Sequence, residues 1–482
     1  MGAEGMELGF KGVLKELLAY KSGALGVVIL VFLVALSIYT VVAIPYDKAI
    51  KLWRGEEEVW IENPRNAQPI WVKYWEYLRG RNLPETIKRD TSDSKQYGVY
   101  KSLRAIPGTN LKRLYIEFSF KYEYDDFPSE INIFFSSKFN ESAPILRIAW
   151  EKPGGNKIEL LDFIPRDKYD RLYLSIEHDV LKVLRSYVEE KLYALGKNPE
   201  VPLSVEKALF AVEDESMSSS LTVKPLKGTY KLIIEGLLFG KDSDVDARLI
   251  IYGKVYGMCG TDHLRRDLTI AMLWGLPIAL SFGLIASLTI TFLQLIIATI
   301  SGYYGGWIDA LIQRLTELYM ILPFLPFLIM IAAFYKLDIW VILAAIIILN
   351  IFGGGIKSTR ALVMQIKEYP YIEAARAYGA SSKRIVLLYI IPKILPPVIP
   401  GLIGAVPGYV FLEAALSLLG LGDPFLPTWG KVINDSYRWG ALYKGYYYWV
   451  LQPSFMLILT AFAFAFIGFA LDKIVNPKLR EI

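Results

Sequence analysis

Between Asp267 and Asp309 the chain carries no charged residue. That run exceeds the roughly 20 apolar residues with which an α-helix crosses a hydrocarbon core about 30 Å thick. A stretch of this kind commits the chain to a membrane. Five further apolar stretches accompany it, at residues 23–44, 318–335, 339–356, 394–421 and 445–471. Together they predict six spans. Pro277 and the glycines Gly302, Gly305 and Gly306 mark the expected ends of the longest run. The first stretch follows Lys11, Lys15 and Lys21. It is too long for the apolar region of a signal peptide, and no small-residue cleavage site follows, so it is expected to remain as an anchor.

Residues 46–256 have another character, rich in charge, Tyr, Pro and Gly. Apolar and polar residues alternate at 114–124, 131–136, 145–150, 171–176, 230–238 and 248–255, which predicts half-buried strands. Pro153, Gly154, Gly155 and Asn156 form a turn between two of them. Residues 180–195 carry a helical pattern that ends at Gly196. The reading is one β-rich domain, a sandwich with at least one helix. The expected fold is therefore an all-α polytopic membrane domain with a β-rich insertion. Its parts are an N-terminus and first span at 1–45, the insertion at 46–256, and a five-span core at 257–482.

Topology follows from basic residues in short loops. The loop 357–393 holds Lys357, Arg360, Lys367, Arg376, Lys383, Arg384 and Lys393 against Glu368 and Glu373. The C-terminal tail holds Lys473, Lys478 and Arg480. Placing both in the cytoplasm also places the N-terminus there, because six is even, and leaves the β-rich domain outside. The sequons at Asn140 and Asn434 fall in expected outside segments, but such triplets arise often by chance. The net charge of +5 suggests no nucleic-acid partner. One cysteine, Cys259, allows no internal disulfide, and two histidines leave little for a metal site.

The most informative stretch starts at Tyr371. Ala374 and Ala375 favour a short helix, Gly379 can end it with positive φ, and Ser381 or Ser382 can cap the next. Ile385, Leu388 and Ile391 then make an apolar face. Such a helix-turn-helix suits a knob that enters a partner's groove, with Glu373 ion-pairing there. It suits equally an amphipathic helix lying on the membrane surface. The residues alone leave both open. Glu413 is an ionisable group inside a span, hence a functional candidate or a structural hydrogen-bonding group near the outer face. Gly401, Gly404 and Gly408 with Pro407 suggest close helix packing and a bend, or a path lining.

Glu373-Ala374-Ala375, Gly379 and Pro392, thirteen residues after that glycine, resemble the EAA loop of ABC importer permeases. Tyr389 and Ile391 are mild departures. Gly260, Thr261, Asp262, Arg266 and Asp267 are similar to the Gly-Thr-Asp-x-x-Gly-Arg-Asp signature of dipeptide/oligopeptide (DppC/OppC-type) permeases, with Arg265 replacing a glycine. The segments 302–309, 412–417, 420–422, 427–430 and 476–480 are similar to further motifs of that family. The resemblance covers about residues 10–45 and 257–482 and leaves 46–256 uncovered.

The resemblance implies a heteromeric importer. A second homologous permease subunit would complete the path, two ATPase subunits would bind the EAA loops, and an extracytoplasmic binding protein would deliver peptides. ATP and magnesium would belong to the ATPases, so this chain needs no cofactor and has no catalytic residue. Glu373, Ala374, Ala375, Arg376, Gly379 and Pro392 would couple to the ATPase. Glu413, Gly404, Pro407 and Gly408 would line or gate the path. Relatives carrying nickel or oligosaccharides leave the cargo open, and a membrane-anchored outside enzyme or sensor is the alternative class. The insertion is expected to dock, or replace part of, the binding protein. Three motifs look like chemistry without supplying it. Gly353-Gly354-Gly355-Ile356-Lys357-Ser358 lacks the glycine before lysine of a phosphate loop. Asp242, Asp244 and Asp246 lack the glycine of a calcium loop, with Ala247 in its place. The Tyr and Trp residues at 98–124 and 446–449 fit strand core and membrane interface better than a sugar platform.

Overall fold

The computed structural model describes residues 10–55, 57–92, 97–139, 142–197, 203–218, 223–240, 242–335 and 338–475. Asn140, the link residues 336–337 and the tail motif 476–480 lie outside them. The chain forms two compact units, residues 56–269 and the remainder.

The first unit is built on strands β1 (Ile87–Asp90), β2 (Val99–Ala105), β3 (Leu111–Tyr122), β4 (Glu130–Lys138), β5 (Ile145–Glu151), β6 (Lys157–Phe163), β7 (Tyr169–Tyr173), β8 (Gly228–Phe239) and β9 (Asp244–Tyr252). They make two antiparallel sheets, ordered β1-β9-β4-β7 and β2-β3-β8-β5-β6. Alternation buries Leu114, Ile116, Phe118 and Phe120 of β3 beside Tyr230, Leu232 and Ile234 of β8. Ile131, Ile133 and Phe135 of β4 and Leu249 and Ile251 of β9 close the same core from the other sheet. The helix His178–Ala194 adds Val180, Leu184, Val188 and Leu192, spaced by one turn. Fully burying each such side chain contributes about 1.5–3 kcal/mol, against which the entropy of ordering the chain must be set.

Three strands escape the alternation pattern, namely β1, β2 and β6. Each pairs on one side only. Edge strands carry charge that blunts further pairing, and Lys88, Arg89, Lys101, Arg104, Lys157 and Glu159 mask the period here. The expected strand at 171–176 is shorter. β7 ends at Tyr173, and Leu174–Ile176 turns into a 3-10 helix whose Ser175 hydroxyl accepts the Ile131 N–H at 2.8 Å. The acidic triplet is ordinary structure, because Asp244 and Asp246 each stand 2.8 Å from Lys101. Lys152, 1% exposed, lies 3.4 Å from Glu213, which also pairs with Lys191 at 3.3 Å and accepts the Tyr187 hydroxyl.

The second unit is helical. Lys21–Ala43, Leu268–Tyr304, residues 382–418 and Tyr448–Val475 are each long and apolar enough to cross a membrane. Two bent pairs raise the candidates among the described residues to six if each pair counts as one span: Gly306–Ile321 with Phe324–Ile331, at 79°, and Ile339–Asn350 with Gly355–Ile366, at 48°. Pro277 does not end a helix, contrary to expectation. It sits inside the 37-residue Leu268–Tyr304. One proline removes one hydrogen bond, and apolar neighbours on both sides hold the helix through it. Gly305, with φ +67, marks the real end.

The surface helix and the span expected to separate near Pro392 are likewise one continuous helix. Pro392 cannot donate to the Leu388 carbonyl, and its ring would crowd that oxygen. Residues Val386–Ile390 widen into a π turn instead, in which the Ile391 N–H reaches Val386 O.

Candidate functional site

The EAA residues lie on the helix Pro370–Ala377. Proline at the first turn has the right φ and lacks an N–H that would be unpaired there anyway. Ile372 and Ala375 face inward and join Leu295, Val363, Ile366, Ile385, Ile390 and Ile394 in one core. Three and six residues on from Ile372, the same face recurs only at Ala375, so Glu373, Ala374, Arg376 and Tyr378 are left exposed. Tyr378 is 93% exposed. Gly379, at φ +79, ends the helix. Its N–H reaches Arg376 O at 2.9 Å, and the Ala380 N–H reaches Ala375 O at 3.0 Å. This paired closure needs a left-handed residue, which glycine supplies without a Cβ penalty. The Ser381 hydroxyl then caps the next helix by accepting the Arg384 N–H.

Sequence reasoning missed the residues that tie this knob down. Gly302 lies so close to the helix Gly355–Ile366 that a Cβ would stand 2.9 Å from Val363 Cβ and 3.1 Å from Arg360 O. Across that contact Arg360 clasps Asp309 with two donors, Nε at 2.5 Å from Oδ1 and Nη2 on Oδ2. The Ser301 hydroxyl also donates to Asp309 Oδ1. The Arg376 guanidinium lies 5.6 Å from the Tyr303 ring centroid. In the sequence Arg360 reads only as one of the loop's basic residues. A carboxylate in a glycine-rich turn, 51 residues before an arginine, carries no sequence signal of pairing. The structure thus gathers Glu373, Ala374, Ala375, Arg376 and Gly379 into one short helix and its closing turn, exposed except at Ala375, with Pro392 in the following helix past the π turn.

The other candidates divide. Glu413 is 4% exposed and accepts the Ser417 hydroxyl at 2.8 Å. Its neighbourhood is tightly packed. A Cβ on Gly430 would lie 2.7 Å from Ala414 Cα, and Gly275 makes room for the Trp429 ring, whose Nε1 donates to Met272 O at 3.1 Å. Asn434 of the second sequon is buried here, donating to Leu418 O at 2.7 Å. By contrast, a Cβ on Gly401, Gly404 or Gly408 would meet nothing within 4 Å. Pro407 is half-buried beside them. The Cβ position of Gly468 lies 3.6 Å from the Gly404 Cα. Glu413 and the glycine stripe are therefore in different surroundings.

The signature Gly260 to Asp267 belongs to the β-rich unit. Thr261 donates to Pro64 O at 2.6 Å and accepts the Ala67 N–H at 2.9 Å. Asp262 accepts Arg266 Nε at 2.6 Å and its N–H at 2.8 Å. The Asp267 carboxylate accepts the Thr269 N–H at 2.8 Å, at the start of the long helix. Arg265 keeps the left-handed conformation, at φ +66. The turn that a glycine would make is thus retained, at a cost of about 1 kcal/mol for a side chain in that region. Contacts offset it: the guanidinium donates to Asn63 O at 2.6 Å, pairs with Glu130 and lies 4.5 Å from the Tyr252 ring centroid.

Residues 294–481 match the model of the family described as "binding-protein-dependent transport system inner membrane component". The chain is 32% identical over 224 residues to the dipeptide transport system permease protein DppC of Bacillus subtilis, covering 46% of this chain and 69% of that one. It is 33% identical over 228 residues to the oligopeptide transport system permease protein OppC of Haemophilus influenzae, with 47% and 71% covered. The corresponding Escherichia coli K12 protein is 33% identical over 224 residues, with 46% and 72% covered. Among the described residues, the four to six helices or helix pairs long and apolar enough to cross a membrane accord with a multi-pass protein of the plasma membrane. On this agreement of sequence and helical core, the chain belongs to the dipeptide/oligopeptide (DppC/OppC-type) family of ABC transporter permeases.

Proposed function

We propose that this permease forms half of a translocation path for peptides and is driven by an ATPase subunit docked on the loop around Glu373. The observation that carries this is the helix Pro370–Ala377, pinned from below by Ile372 and Ala375 while Glu373 and Tyr378 face outward. A knob with a fixed base and a free charged tip can transmit a push. It continues through a tight turn into the helix at 382–418. Displacing the knob therefore moves a span, the kind of rigid-body change by which access alternates.

In this reading the chain has six spans, each bent pair counting as one. Both termini and the Glu373 loop are cytoplasmic, supported by the basic residues of 357–393, and the β-rich unit is outside. A second permease, two ATPases and an extracytoplasmic binding protein complete the assembly, and ATP is hydrolysed by the ATPases alone. Glu413 serves as a packed hydrogen-bonding group. Gly404, Pro407 and Gly408 face the path or the second permease, supported by the open space at the glycines. Peptide cargo is favoured because the matched relatives are named for dipeptides and oligopeptides.

Glu373→Arg alters an exposed side chain and spares the fold, while Gly379→Pro cannot adopt φ +79 and distorts the turn. Both should reduce co-purification of the ATPases and abolish ATP-dependent uptake in reconstituted vesicles. Normal assembly and uptake in both variants would remove the coupling role.

A further inference from the structure

The helix Ile70–Leu78 has its amphipathic character turned inside out. None of its residues is buried. Trp71, Tyr74, Trp75 and Leu78, at positions i, i+3, i+4 and i+7, form one stripe and are 54%, 66%, 57% and 81% exposed. The polar side is the better covered. Lys73 pairs with Glu85 and lies 5.7 Å from the Tyr124 ring centroid, and Glu76 stands 3.4 Å from Arg79 and 3.6 Å from Arg81. A surface helix of a water-soluble domain does the reverse.

The site of this helix is as telling as its face. Gln68 N–H donates to Lys254 O at 2.8 Å, Tyr256 N–H donates to Gln68 O at 2.8 Å, and Ile70 N–H donates to Gly257 O at 2.9 Å. The segment so paired turns at residues 257–259 and reaches Gly260, whose carbonyl accepts the Leu268 N–H at 3.0 Å, where the long apolar helix begins. The aromatic stripe is therefore tethered at the root of a membrane span. Trp and Tyr, with apolar rings and polar edges, are the residues that collect at bilayer surfaces. Arg79, its guanidinium 5.4 Å from the Trp75 ring centroid, adds a cation beside the stripe.

We propose that Ile70–Leu78 is a membrane-surface anchor, with Trp71, Tyr74, Trp75 and Leu78 seated in the interfacial region of the leaflet that faces the β-rich unit. This rests on the membrane-spanning reading of the helix Leu268–Tyr304 and is independent of cargo and ATPase. An anchor beside the span holds the inserted domain against the bilayer surface instead of leaving it to swing on its connections.

The test uses the full chain in lipid nanodiscs. With Cys259→Ser removing the only cysteine, Tyr74→Cys or, as control, Tyr97→Cys carries an environment-sensitive fluorophore. Residue 97 belongs to the same unit and is 93% exposed. Lipids spin-labelled at the headgroup or shallow acyl chain should quench the label at 74 at least about threefold more than that at 97. Aqueous iodide should show the opposite order. Equal quenching at both positions by lipid and by iodide overturns the proposal. Protection of position 74 that appears only when partner subunits are added also overturns it, in favour of a protein contact. Neither result depends on uptake, so failure here leaves the transport reading standing.

Discussion

The Asp309–Arg360 clasp offers the sharpest measurement. Arg360 donates through two nitrogens to both carboxylate oxygens, and the two side chains are only 26% and 17% exposed. Exposed ion pairs are worth about 0.2–1 kcal/mol, whereas breaking a buried one costs about 3–5 kcal/mol. A two-pronged, mostly shielded pair falls between, at about 2 kcal/mol, or roughly thirtyfold in the folding constant. The perturbation is a double-mutant cycle with Asp309→Asn, Arg360→Gln and the combined variant. Equilibrium unfolding of the purified chain in mixed micelles, at low and at high salt, reads each corner. The coupling energy should be about 2 kcal/mol and should fall only modestly with salt, since partly buried pairs are poorly screened. Strict additivity of the two substitutions, within about 0.5 kcal/mol, would refute the reasoning. Such a result would mean that the Gly302 contact with Val363 holds these helices without the charges.

Two further outcomes are expected. Glu413→Gln keeps an oxygen for the Ser417 hydroxyl and should leave uptake unchanged, whereas Glu413→Leu leaves that hydroxyl unpaired and should cost about 1–3 kcal/mol of stability; loss of uptake in a well-folded Gln variant would show that the charge acts in the path. The β-rich unit should lose stability in acid. Burial pushes the Glu213 carboxyl up, but the Tyr187 hydroxyl, Lys152 and Lys191 overcome it and hold the group below its ordinary value of 4.5, and Lys227 and the Asn82 N–H hold Asp125 below its 3.8. A carboxyl lowered by folding contributes stability that is complete above the ordinary value and disappears as pH falls through the folded one. Unfolding followed between pH 7 and pH 3 should be flat and then decline below about pH 4.5, and a rise in stability over that acid range would contradict the assignment.

Much of this architecture was legible because it rests on single-chain periodicities. Alternation located β3, β4, β5, β8 and β9 because each is flanked on both sides by other strands and has one face in the core. It failed for β1, β2 and β6, where an edge position puts charge on an apolar rhythm. Helix ends were legible where glycine takes positive φ, as at Gly305 and Gly379, and illegible where proline is absorbed, as at Pro277 and Pro392. The exposed part of the knob could be read from Glu373 and Gly379. Its moorings could not, because Asp309 with Arg360 and Tyr303 with Arg376 are meetings between distant segments, set by how helices cross. Arg265 stands where the family signature has a glycine and still keeps the turn, because three contacts to the surrounding fold hold a side chain in a glycine's conformation.

The pairing between the two ends of the β-rich unit has a consequence for how such a chain can be built. Asn66 and Ala67 on the way in hydrogen-bond to Thr261 and Asp262 on the way out, so entry and exit share one narrow neck. Everything between these residues begins and ends at nearly the same point in space. A loop that closes on itself in this way asks nothing of the helices to which it is grafted, whatever its length. The same neck would hold whether few residues or many lay between Ala67 and Thr261, since its hydrogen bonds are made by the two ends alone.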